Sequence, residues 1–195
     1  MSRLILLLLF LFVTITSSIN AQTTYQIDKI HTFVNFGVER FMVGEVTGRF
    51  NDFVGTVVHN TENILQTEIN VSIDVKSIDT GFEVRDGHLK SNIWLDAEKY
   101  PEITFTSKSL EKTEENLMLT ADLTIHGITR EVTFPISIKG PFVDPTQSNT
   151  IGLSGELIVN RQDFGISMDK KMLNGHSFIG DDVKISIRAL AAETK

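Results

Sequence analysis

The sequence predicts an all-β protein, an antiparallel closed barrel of about eight strands with a short helical excursion as its lid. Three observations carry this reading. Strand-type alternation of apolar and polar residues runs nearly end to end. Each alternating stretch has one dry face and one wet face, as antiparallel strands do, whereas parallel strands buried under helices read as continuous apolar runs. Only residues 78–100 break the run, and a single excursion suits one lid over one end.

The elements follow in chain order. Arg3 precedes an unbroken apolar run, Leu4 to Val13, that gives way to small and polar residues ending at Ala21. That is the layout of a secretory signal peptide, and its apolar run is far short of the ~20 residues a spanning helix needs. Residues 1–21 are therefore read as a leader, and 22–195 as one domain exported to the periplasm or the medium. "TFVNFGV" places Val34, Phe36 and Val38 on one face, and "GRFNDFVGTVV" reads as a glycine-broken strand. "EINVSIDV" sets Ile69, Val71, Ile73 and Val75 against Glu68, Asn70, Ser72 and Asp74. After the excursion, "EITFTS" offers Ile103 and Phe105, and "LMLTADLTIHG" offers Leu117, Leu119, Ala121, Leu123 and Ile125. Gly127 in "HGITR" marks a hairpin. "VTFPISIKG" carries Val132, Phe134, Ile136 and Ile138, with Pro135 inside the strand, which assigns it to an edge or a bulge. "GPFVDPTQSNT" is an exposed loop. "IGLSGELIVN" and "DVKISIRAL" close the run with Ile151, Leu153, Leu157, Val159, Val183, Ile185, Ile187 and Ala189.

Composition narrows the function. The chain has 195 residues, net charge −7 and no cysteine. An exported chain without cysteine relies on a packed core rather than disulfides, and a thiol nucleophile is ruled out. An acidic protein without a basic stripe is a poor partner for nucleic acid, and anionic lipid surfaces repel its net charge.

"FEVRDGHLKSNIWLDAEKYP", Phe82 to Pro101, is where chemistry would be sought. Phe82, Arg85, Asp86, Leu89 and Lys90 have the spacing of a short helix, with Thr80 placed to cap it. A Ser–His–Asp set would use Ser91 or Ser77 with His88 and Asp86, but no Gly-x-Ser-x-Gly elbow occurs. His31, His59, His88, His126 and His176 show no H-x-H or H-x-x-x-H pairing, so no metal site is read from spacing. A structural clasp fits better. Arg85 and Asp86 would pair with strand ends, and Trp94 would sit where apolar and wet regions meet. In "NRQDFGI", Arg161 and Asp163 suit a salt-bridged corner, with Gly165 supplying the turn. Arg161 is also suited to facing an anionic ligand head.

These segments resemble the YceI-like family, secreted bacterial lipocalin-like barrels implicated in binding polyisoprenoid lipids. "IDKIHTFVNFGV" is similar to its opening Asp-x-x-His-Ser strand, with Asp28, His31 and Thr32 in place. "SIDTGFEVRDGHLKSNIWLDAEKYPEITFTS" is the most specific match, resembling Arg-Asp-x-His-Leu-(Arg/Lys)-Ser followed by Tyr-Pro-x-Ile-x-Phe-x-Ser. "GRFNDFVGTV", "ADLTIHGITREV", "NRQDFGI" and "IGDDVKISI" follow in the family's order and spacing. One departure stands out. Where relatives often have a histidine in a Val-Lys-His setting, this chain has Val38, Glu39 and Arg40.

The resemblance implies a non-catalytic binder, carrier or store whose ligand, a polyprenyl lipid or isoprenoid quinone, threads its tail into the barrel. The dry-face residues expected along the tail are Val34, Phe36, Val71, Ile73, Phe105, Leu119, Leu123, Phe134, Ile136, Leu157 and Ile185. Those expected at the head or lid are Arg85, Asp86, His88, Trp94 and Arg161. No metal, catalytic residue or resident cofactor is expected, and homodimerisation is left open. The competing reading is a quinone- or metal-dependent envelope enzyme, which needs His31, His88 and His176 together at one mouth.

Overall fold

The computed structural model describes residues 22–167 and 170–194; the expected leader, 1–21, lies outside the described residues. The strands are β1 (Gln22–Ile27), β2 (Phe33–Arg40), β3 (Gly44–Phe50), β4 (Phe53–Asn60), β5 (Glu68–Asp74) and β6 (Ile78–Asp79). After helix α1 (Glu83–Lys90) come β7 (Glu102–Lys112), β8 (Leu117–Ile125), β9 (Ile128–Val143), β10 (Asn149–Asn160) and β11 (Ile179–Glu193).

All pairings among these strands are antiparallel, and β1 pairs with both β4 and β11, which closes the ring. The 11 segments amount to eight wall positions, because three positions are each built from two collinear segments. β1 and β2 share one edge of β11, which pairs Ala191–Glu193 with β1 and Ile179–Arg188 with β2. β3 and β4 face them in turn, and β5 and β6 follow. The predicted barrel of about eight strands is therefore what forms.

The sequence reading overlooked β1, although Tyr25 and Ile27 alternate with Thr24 and Gln26. Its break from β2 holds Asp28, whose N–H bonds to Leu190 C=O, and Thr32, whose hydroxyl also reaches Leu190. The break expected at a glycine in "GRFNDFVGTVV" falls instead at Asn51–Asp52, where the Asn51 N–H turns to the carbonyl of Ser77. The Gly127 hairpin is as expected. His126 (φ 52) and Gly127 (φ 72) both take left-handed backbone, as a two-residue hairpin turn requires.

Following strand directions gives the barrel two unlike ends. The base gathers residues 61–67, 113–116 and 144–148 together with both described termini. The lid end gathers the 41–43 turn, residues 80–101, the 126–127 turn and residues 161–167 and 170–178. The base is sealed by Tyr25, Val57, Leu119, Ile151 and Ala191, each no more than 1% exposed. A second apolar cluster fills the lid end around Phe53, Ile73, Trp94, Ile103, Phe164 and Ile166.

Backbone pairing weakens towards the lid. β9 is bonded to β10 from Val143 to Ile136, and beyond that point its only strand partner among the described residues is β8. Pro135, expected on an edge or bulge, stands where this local edge begins. β6 contributes just two pairs to β3, with Arg49 and Phe50. The lid end is thus closed largely by side chains and loops.

Candidate functional site

Inside the barrel lies a cavity of about 240 Å³. Its wall is built by the dry faces of the strands, and it includes Val34, Phe36, Val71, Ile73, Phe105, Leu119, Leu123, Phe134, Ile136, Leu157 and Ile185. Among the described residues, the polar contributions to its lining are Thr32, Asn35, Ser154 and Arg161, and no histidine or carboxylate lines it. Period-two geometry is the reason, since every second side chain of each strand points inward and those positions are apolar in this sequence. Phe36 lies beside Phe50 with ring centroids 5.7 Å apart, and Phe105 meets Phe134 edge-on at 6.1 Å.

The lid begins at Thr80, the residue after β6. Its N–H and hydroxyl both bond the Asp86 carboxylate. Its hydroxyl accepts from Arg85 Nε at 2.7 Å, and its carbonyl accepts from the other arm of the same guanidinium at 2.7 Å. The clasp therefore exists, but with a different anchor from the one expected: Arg85 and Asp86 grip Thr80 rather than separate strand ends. Thr80 is not the helix cap either. Phe82 holds that position without a side-chain hydrogen bond, because Thr80 lies two residues too far back and its hydroxyl is already held by Asp86. None of Arg85, Asp86 or His88 lines the cavity, and His88 is exposed on α1.

The stopper is the turn after the helix. Leu95 and Ala97 donate their N–H groups to the carbonyls of Leu89 and Lys90, folding residues 91–97 back against α1. This brings Leu89, Trp94 and Leu95 to the cavity. Trp94, expected at a wet boundary, is only 9% exposed. Its ring lies 5.9 Å from the Arg161 guanidinium carbon.

Arg161 opens a short 3-10 turn, Arg161–Phe164, that ends at Gly165 (φ 71). It is 4% exposed. Its nitrogens donate to the carbonyls of Gly180 (3.0 Å) and Ile166 (2.6 Å) and to the carboxylate of Asp181 (2.6 Å). The salt-bridged corner forms, with Asp181 rather than Asp163 as the acid. Among the described residues, Arg161 is still the only charged one in the cavity lining. Phe164, Ile166 and Ile179 complete this end. The sequence reading passed over them, although "DFGI" and "FIGDD" carry them beside the quoted corner motifs.

The histidines do not converge. His31 is exposed in the β1–β2 break, where its Nδ1 bonds Asp28 at 2.6 Å and holds that carboxyl below its ordinary range. His59 is buried at the base, bonded to the Thr67 hydroxyl at 2.9 Å. His126 at the lid end bonds the Phe164 carbonyl, and His176 is exposed in the segment before β11. Among the described residues no group of three or more histidines and carboxylates is placed to hold a metal ion.

Comparison with known proteins bears on this arrangement. A family model described as "YceI-like domain" matches residues 25–191. Protein YceI of Escherichia coli O157:H7 is 37% identical over 147 residues, covering 74% of this chain and 77% of that protein. Among solved structures, Burkholderia cenocepacia BcnA superposes with a TM-score of 0.73 at 24% identity, covering 84% of this chain and 98% of BcnA. A polyisoprenoid binding domain from Saccharophagus degradans, implicated in plant cell wall breakdown, gives 0.67 at 17% identity, covering 88% and 99%. At those identities the two structures speak for the fold alone.

Proposed function

The chain belongs to the YceI-like domain family, and from that premise we propose that it binds a long-chain amphiphile of isoprenoid type, carrying or storing it in the cell envelope without catalysis. The carrying observation is the cavity: about 240 Å³, apolar on nearly all sides, with Arg161 the single charged residue among the described ones that line it. A dry cavity of ~150 Å³ accommodates benzene, so this one has room for about ten carbons. Burying ten carbons contributes roughly 8 kcal/mol, enough to offset much of the association cost. A dry wall has little with which to read chemical identity. Selection then rests on tail length and on the head group near Arg161 and Trp94. A domain of the same fold that is described as polyisoprenoid-binding supports the choice of tail.

The competing enzyme reading has less support, because His31 stands apart from the lid end and no histidine among the described residues lines the cavity. Native mass spectrometry of the protein, purified without detergent from its own envelope, tests the proposal. The expected result is one stoichiometric adduct of isoprenoid mass. A clean unliganded mass, with no uptake of added polyprenyl lipids or quinones, would sink it.

A further inference from the structure

The turn between β2 and β3 breaks an ordinary rule of hairpin chemistry. Arg40 C=O accepts from Val43 N–H, and the two residues between them, Phe41 (φ 56) and Met42 (φ 63), both take left-handed backbone. Asn-Gly is the usual occupant of such a pair, because bulky residues resist positive φ. Here the turn presents Phe41, Met42 and Val43 to solvent at 38%, 52% and 90% exposure. Strain of this kind is a pointer to function.

A second tip stands beside it. In Lys170–Phe178, Met172 and His176 are joined through their backbone, and Leu173 at the apex is fully exposed. The two tips touch: Phe41 N–H bonds Phe178 C=O at 3.0 Å, and their rings meet edge-on at 5.2 Å. Cations flank the apolar tips. Arg40 lies over the Phe41 ring at 4.4 Å, Lys170 lies 5.1 Å from the Phe178 ring, and Lys171 bonds the Ser177 hydroxyl. Arg40–Gly44 and Lys170–Phe178 hold three cations and no acid, with Asp169 next in sequence before Lys170, in a chain of net charge −7. Glu39 and Glu45 stand just behind on the strands, Glu45 beside Lys184 at 3.8 Å.

We propose that these paired tips dock the lid end of the barrel on an anionic lipid bilayer. Apolar side chains ringed by cations suit the boundary between headgroups and acyl chains. The net negative charge does not forbid it, because charges beyond about 8 Å are screened at physiological ionic strength. Two convex tips with four exposed apolar side chains are small for a stable protein interface, which takes about 800 Å² per partner. The choice of a bilayer rests in part on the amphiphile reading above, since such a cargo resides in membranes. Docking would turn the loop-closed end, where Trp94 plugs the cavity, towards the lipid. The base also exposes Phe142 and Val143, but beside Asp144, an anion.

The test compares the wild-type chain with F41N/M42G, which installs the residues this turn favours and so keeps or raises stability. Both are floated with phosphatidylcholine–phosphatidylglycerol vesicles free of isoprenoid lipid, weighed by light scattering, and examined for adduct by native mass spectrometry. The expected result is that wild type floats, F41N/M42G binds about tenfold more weakly, added salt weakens the rest, and both keep the same adduct. A wild-type protein that carries an adduct but does not float overturns the docking surface and leaves the cargo reading standing. Equal flotation of the two also overturns it. A wild-type dimer that F41N/M42G converts to monomer, with neither floating, assigns the tips to a second copy instead. Flotation without any adduct supports docking while the cargo reading falls.

Discussion

At the residue scale, two buried polar side chains mark the two ends of the barrel. His59 at the base is almost fully buried against Thr67 and lies edge-on to Tyr25, and burial pushes its pKa down. The sign follows from linkage. An unfolded histidine takes up a proton as pH falls below about 6.5, whereas the folded one resists, so its full stabilisation is present above that pH and is lost below it. His59→Gln should therefore flatten the fall of Tm between pH 7.5 and 5; equal slopes in the two proteins would refute the assignment. Arg161 does the corresponding work at the lid end, where its loss leaves the Gly180 and Ile166 carbonyls and the Asp181 carboxylate without their donor. Arg161→Met should cost about 2–3 kcal/mol, less than a fully buried pair because Asp181 is partly solvated. Urea denaturation measures this, and a loss below about 1 kcal/mol would mean the corner holds without it.

At the scale of elements, the lid is a separate cooperative piece. α1 has no fully buried residue and brings half-buried Leu89 to the cavity, so it is held by that contact, by the Thr80 clasp and by the turn that carries Trp94 and Ala97 inward. Thr80→Val preserves shape while removing the hydroxyl shared by Arg85 and Asp86. Hydrogen exchange should quicken across residues 83–97 while the global unfolding midpoint moves little, as expected for a locally opening unit. Slowed or unchanged exchange there would show that the clasp is not what closes the lid. The same contrast explains why the base is the fixed end. There β1 is laddered to both β4 and β11, whereas upper β9 lacks β10 altogether.

At the scale of the whole molecule, a closed eight-position wall leaves an interior of limited volume. Affinity for a series of single-chain amphiphiles should rise by roughly 0.8 kcal/mol per methylene and level off near about ten carbons, where the cavity is full. Calorimetry across chain lengths checks this. A gain that continues undiminished to much longer tails would mean that the two apolar clusters part to admit them. Trp94→Ala, which removes the stopper, should shift that plateau to longer chains.

The sequence alone determined the wall. Alternation is a property of neighbouring residues, so the inward faces of β2, β5, β7, β8, β9, β10 and β11 could be read directly, and all eleven dry-face residues from Val34 to Ile185 line the cavity. The lid segment and the short helix were legible for the same reason, as a local loss of period two. Tertiary structure alone decided what each charge holds. Arg161 chose Asp181 over Asp163, and Arg85 and Asp86 chose Thr80 over strand ends. It also set His31 apart from the lid end, and it placed Phe164 and Ile166 in the plug. Side-chain pairing depends on where distant segments meet, and ring closure fixes that meeting only once every strand register is in place.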